Sequence, residues 1–416
     1  MTGGSRRAST GHETVLPRDE IAEVSWPARA WAVVRLAILA AGVGWLGHLG
    51  WKDAHALLRI QPLGIDFMPM WAAGGLAFAH PQRVYDAYGL TLALRPLLAH
   101  FHGLRPFVYP PTALLLLAPF ALAPFAVANA LWTGAGAALI FGAAAAGLRT
   151  LRLPVLAAMA LTPASVLVAV TGQTTFLIAG LALAGVFALK RRPILAGVLF
   201  GLAGAVKPPA MLLLPVALVA AGQWRALAAA AVTAALAVLI SALCFGVQIW
   251  FDWLAALAHF DAWVMGFAAL RRGMITPAAL GIWLGLAPGQ LLAWRLGFTA
   301  AGVAIAWHVF RVSDDPARRL AALLGGALLV TPYAMHYDAA LLAPALALML
   351  SRRAAPVPWI IAAAAGALVS CAAIPHWGAA GVIGAVLLAS LTSETTLAAP
   401  LRAPRPSLGP GRAVAG

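Results

Sequence analysis

Residues 172–209 read GQTTFLIAGLALAGVFALKRRPILAGVLFGLAGAVKPP, and their reading decides the fold. Two apolar runs, 174–189 and 193–206, are joined by three bases, Lys190-Arg191-Arg192. The second run stops at Lys207-Pro208-Pro209. Alanine, leucine and glycine fill both runs, and small residues let membrane helices pack closely. Nothing alternates with the period of an outer-membrane strand. Similar runs stand at about 30–51, 112–147, 154–171, 208–222, 226–247, 290–310, 319–333, 335–350, 356–373 and 377–391. The pattern predicts an all-α, polytopic membrane helical bundle of about twelve transmembrane spans. The 112–147 run is too long for one straight helix, and Pro119 and Pro124 divide it into a half-helix and a span. Residues 276–287 are apolar but short, and read as re-entrant or interfacial.

Composition agrees. The chain is 62% hydrophobic and 10% charged, with a mean hydropathy of +0.90, whereas soluble domains carry about 25% charged residues. Residues 1–29 form a polar N-terminal tail, 30–391 the membrane domain, and 392–416 a Pro-, Arg- and Gly-rich tail expected to be disordered. Cys244 and Cys371 lie in separate runs and make no metal or disulfide pattern.

The net charge of +15 does not indicate a nucleic-acid partner. The bases sit in short links: Arg149 and Arg152, Lys190–Arg192, Arg318-Arg319, Arg352-Arg353. That is the positive-inside pattern, and it places the N-terminus and these links in the cytoplasm. The opposite, external side then receives the 52–111 loop, Gly172-Gln173, Lys207, the 248–275 loop, Thr331–Asp338 and Pro375-His376-Trp377. Of the 13 acidic residues, Asp53, Asp66, Asp86, Asp252, Asp261 and Asp338 fall externally. The aromatics Trp71, Tyr85 and Tyr88 suggest helices lying at the interface within the 52–111 loop.

Five external segments carry polar groups that apolar surroundings make costly. Asp66, in Gly64-Ile65-Asp66-Phe67, is either a general base whose pKa burial raises or a helix N-cap. Tyr109-Pro110-Pro111 is a rigid helix start. Gln173 either reaches substrate with its amide or sits in a capping turn. Lys207 either holds a phosphate with its compact charge or snorkels to the interface. His336 and Asp338 are two residues apart, either functional or a structural pair, and Arg271, Arg272 and Arg295 add positive charge to that face. No Ser-His-Asp spacing, phosphate-binding loop, dinucleotide fingerprint or zinc pattern occurs. Asp66-Phe67-Met68 is not the acid-x-acid pair of many metal-dependent sugar transferases, so no metal is expected.

Taken in order, these segments resemble the family-87 glycosyltransferases of the GT-C superfamily. The resemblance rests on Asp66-Phe67 with Trp71, Leu76 through Tyr85-Asp86, Val108-Tyr109-Pro110-Pro111, Gly172-Gln173, Gly197–Gly201 leading to Lys207-Pro208, and Thr331-Pro332-Tyr333 with His336. It implies a multi-pass enzyme of the cell's inner (plasma) membrane with its active site on the external face. Such an enzyme takes a polyprenyl-phosphate sugar, typically mannose, as donor substrate and needs no cofactor. A glycolipid or glycan would be the acceptor, beside the surrounding bilayer lipid. The resemblance assigns the catalytic carboxylate to Asp66 and makes His336 an active-site residue. Lys207, Tyr109, Gln173, Asp338, Arg271 and Arg272 are then expected to bind substrate. A transporter or flippase would instead need internal repeats and charges near mid-membrane, and a non-catalytic scaffold would not need Asp66.

Overall fold

The computed structural model describes residues 28–98, 103–266, 270–271, 273–352, 356–370 and 381–387. The expected tails, Arg272, Arg353, Cys371 and Pro375-His376-Trp377 lie outside the described residues. Among the described residues the structure is helical and has no strand; one isolated bridge joins Met274 to Met335.

The first helix, Ala28–Leu58, runs 31 residues. It continues through Lys52, Asp53 and His55, so the external loop begins beyond Leu58 rather than at residue 52. Beyond Gly50 neither Pro nor Gly interrupts the chain until Pro62 and Gly64. The 112–147 run divides as its prolines predict. A helix over Pro111–Leu117 ends near Pro119, a short turn spans Phe120–Leu122, and Pro124 precedes the helix Phe125–Gly147.

Two expectations are corrected. The 154–171 run is not one straight helix: Arg152–Leu161 and Pro163–Thr171 are bent by 60°. Pro163 disfavours helical backbone at Thr162 before it, and Thr162 instead caps the second helix by accepting from Ser165 N. The 248–275 loop is largely a helix, Gln248–Gly266. It lacks Pro and Gly before Gly266, and its polar residues read as loop only because they break the apolar run.

Among the described residues, three helices are long and apolar enough to cross a bilayer, Arg29–Leu58, Phe125–Gly147 and Trp224–Phe245, and the bent pair makes up to four. Thr175–Ala188 and Pro193–Val206 are apolar but only 14 residues each, about 21 Å at 1.5 Å per residue. Gly197 and Gly201 lie against the Trp224–Phe245 helix, where an added Cβ would overlap Ala226 and Thr233. That closeness is the packing their small side chains allow.

These two 14-residue helices separate two polar regions. At one end Lys190 pairs with Asp314 at 3.0 Å, Arg319 with Asp314 at 2.8 Å and Arg352 with Asp315 at 3.2 Å. At the other end stand Gln173, Lys207 and the segments around Asp66 and Asp338. The grouping follows the sorting of bases and acids read from the sequence.

Candidate active site

The site forms where a helix end needs donors. Pro163–Thr171 terminates at Gly172, whose φ of +76° is a left-handed conformation that glycine adopts without steric cost. The last carbonyls of a helix lack intrahelical partners. Here the loop supplies them: Gly64 N donates to Val170 O at 2.8 Å and Asp66 N to Thr171 O at 2.9 Å. Gly64 also has positive φ, +74°. Trp132 Nε1 closes the turn from behind by donating to Gly172 O at 3.1 Å. The Asp66 backbone is thus fixed beside Gln173, although the two are far apart in sequence.

Asp66 stands at the N-terminus of the helix Phe67–Leu76 but makes no side-chain cap, which removes the capping reading. Its carboxylate instead accepts from Gln173 Nε2 at 3.1 Å and meets Arg105 Nη1 at 3.4 Å. Tyr109 O–H donates to Gln173 Oε1 at 2.9 Å, and Thr174 N donates to the same oxygen at 3.2 Å. This fixes the amide's orientation, so its NH₂ must face Asp66. Tyr109 is itself held by Tyr85, whose hydroxyl donates to Tyr109 O at 2.7 Å. Below the carboxylate, Phe67 stacks on Trp132 with centroids 5.4 Å apart. Burial, the dominant cause, pushes the Asp66 pKa up from its ordinary value, while Arg105, Gln173 and His336 act against it. The C-terminal end of the Pro163–Thr171 helix, with its negative dipole, works in the same direction as burial.

A second cluster faces the first. Lys207 Nζ donates to Asp338 Oδ1 at 2.5 Å. Thr175 Oγ1 donates to the same oxygen at 3.2 Å, and Met335 N to Oδ2 at 3.1 Å. The expected partner within the sequence motif, His336, is not the one Asp338 takes. The cost of Lys207 in an apolar setting, which pointed to a phosphate, is met inside the chain by Asp338. His336 opens the short helix His336–Leu341, and its backbone N donates to Gly273 O at 2.8 Å. Asp66, Asp338 and Asp53 are all near enough for their charges to act on its ring. Arg271 lies two residues before Gly273, on the segment that pairs with Ala334–His336. Arg272 lies outside the described residues.

The structure therefore brings together Asp66, Gln173, Tyr109, Lys207, Asp338 and His336. It also adds residues that the sequence reading missed. Arg105 is one; a single base in a loop with no motif gives no signal. Tyr337 is another, within electrostatic reach of Asp66, Asp338, Tyr109 and Arg105. Thr175 is a third. A carboxylate with a raised pKa, fixed by an oriented amide and flanked by cations and an imidazole, can take a proton from a hydroxyl beside an anionic leaving group.

Such a site on a helical membrane body suits a membrane-embedded transferase. The model of glycosyltransferase family 87 matches residues 107–332, more than half of the chain, and the protein belongs to that family. It is therefore a glycosyltransferase. The match includes Tyr109, Gln173, Lys207 and Arg271, whereas Asp66, Arg105, His336 and Asp338 lie outside it and join the site through contacts. No curated protein and no solved structure matches the chain.

Proposed function

We propose that the protein moves a sugar, taken as mannose, from a polyprenyl-phosphate donor to a lipid-linked or envelope glycan acceptor on the external face of the inner membrane. The carrying observation is Asp66, a carboxylate held by an oriented amide rather than spent on a helix cap. The acceptor oxygen attacks the anomeric carbon and gives its proton to Asp66. The bond from that carbon to the phosphate oxygen breaks, and the polyprenyl phosphate leaves with the electron pair. One displacement inverts the anomeric centre, and one base suffices for it. Asp338, committed to Lys207, is poorly suited to the nucleophile role that a retaining double displacement would need.

In this reading His336 orients the acceptor or the phosphate, and Gln173 and Tyr109 fix Asp66 and the sugar. Lys207, with Arg271 on the neighbouring segment, contributes positive charge to the phosphate region, and Arg272, outside the described residues, is expected to add to it. A polyprenyl chain keeps the donor in the bilayer and brings its sugar to the membrane surface, where this polar end would stand. The test is incubation of membranes containing the protein with radiolabelled polyprenyl-phosphate mannose, then lipid extraction. Label should pass to a slower-migrating glycolipid or glycan, and the product linkage should be inverted. Membranes with the protein that move no more label than membranes without it would refute this donor.

A further inference from the structure

The site holds two cation–carboxylate pairs, and they are built differently. Lys207 and Asp338 meet at 2.5 Å, with side chains 18% and 7% exposed. Asp338 also accepts from Thr175 and Met335. Drawing Lys207 away would leave a buried carboxylate uncompensated, which is strongly unfavourable. Arg105 and Asp66 meet through one nitrogen and one oxygen at 3.4 Å, with side chains 15% and 20% exposed. Strong charge-assisted hydrogen bonds are shorter, about 2.7–2.9 Å. Asp66 does not depend on Arg105 alone, because Gln173 holds its other oxygen. Arg105 also lies in non-helical chain between residues 103 and 110, anchored by its backbone N to Thr91 Oγ1 at 2.8 Å. Its side chain can change partners without displacing a helix.

The formal charges of Asp66, Arg105, Lys207 and Asp338 cancel. An anionic phosphate entering the site gains most by drawing a cation from its carboxylate, and the looser pair is the one that yields at least cost. We propose that Arg105 receives the donor's phosphate and leaves Asp66 in doing so, so that donor binding itself frees the base. This rests on the donor class of the preceding section. The planar guanidinium can bind a phosphate through two parallel hydrogen bonds, which Lys207 cannot do. The groups facing Asp66 include Arg105, Gln173, Thr171 and His336, and those facing Arg105 include Asp66 and Tyr337.

The experiment is a binding cycle on the purified full chain without acceptor. The probes are polyprenyl-phosphate mannose and bare polyprenyl phosphate. The proteins are wild type, Asp66→Asn, Arg105→Gln and the double variant. Arg105→Gln should weaken both probes roughly 10- to 100-fold, the worth of charge-assisted hydrogen bonds. Asp66→Asn should tighten binding several-fold, because Arg105 no longer has to leave a carboxylate. The double variant should bind like Arg105→Gln alone. Tightening that survives without Arg105 would be plain removal of a negative charge and would overturn the exchange. So would wild-type affinity in Arg105→Gln. Should Arg105→Gln fail to give a monodisperse protein, Arg105→Lys replaces it; the exchange requires intermediate affinity there, and unchanged affinity overturns it. Arg105-dependent binding of both probes without any sugar transfer would refute the proposed reaction but leave the phosphate contact standing. A wild type that binds neither probe overturns both.

Discussion

Replacing Asp66 by Asn separates chemistry from architecture, and the structure sets the size of each effect. The carboxylate accepts from Arg105 on one oxygen and from Gln173 on the other. Asparagine offers one acceptor and one donor group. If its oxygen faces Arg105, its NH₂ meets the NH₂ of Gln173. Gln173 can turn over only by giving up Tyr109 and Thr174, which donate to its oxygen at 2.9 and 3.2 Å. One unmade buried hydrogen bond costs about 1–3 kcal/mol. Even if all of that entered the barrier, it would account for at most about 100-fold in rate, at about 1.4 kcal/mol per tenfold. Loss of a general base typically costs 10²- to 10⁴-fold. Turnover of Asp66→Asn should therefore fall by roughly 10³-fold or more, while Gln173→Ala, which keeps the base, should lose no more than about 100-fold. The assay is transfer from radiolabelled polyprenyl-phosphate mannose by purified protein, with monodispersity checked by size exclusion. The pH profile supplies a second readout. Because burial raises the Asp66 pKa, the base is protonated, and activity lost, as pH falls through a value above the ordinary carboxylate range. That acid limb should be absent from the residual activity of Asp66→Asn. Turnover within tenfold of wild type, or an unchanged acid limb, would refute the base assignment.

Lys207→Met should destabilise the protein by about 3–5 kcal/mol by leaving Asp338 buried and unpaired, and Lys207→Met with Asp338→Asn should recover most of that loss. Thermal unfolding in detergent measures both, and a double variant no more stable than the single one would deny the pair its structural weight. Gly172→Ala should lower activity sharply and destabilise, because its φ is +76° and a Cβ would stand 2.6 Å from Asn129 Oδ1 and 2.7 Å from Phe67 Cβ. A fully active, equally stable Gly172→Ala protein would show that the turn does not fix Gln173. Cysteines placed at Leu63 and Arg191, in a background lacking Cys244 and Cys371, should label from opposite sides of the membrane. Labelling from the same side would sink the assigned topology.

The sequence by itself determined the class and much of the helix map. Apolar runs punctuated by bases marked a helical membrane protein, because bilayer burial acts on each run locally, although only three or four helices among the described residues are long enough to cross. Pro119 and Pro124 broke their run as read, since proline acts on its own backbone. Pro163 could have been read in the same way, and the absence of Pro and Gly over residues 248–265 marked the helix there. The ordered motifs also carried enough pattern to point to the family. Partner choice was decided only by the tertiary structure. Nothing near Asp66 in the chain indicates Gln173 or Arg105; they meet because the carbonyls at the end of one helix accept the N–H groups of a distant loop. Likewise Asp338 passes over His336, two residues away, for Lys207. A buried charge is stabilised by whichever opposite charge the packing brings within hydrogen-bonding reach, and sequence proximity does not set that distance.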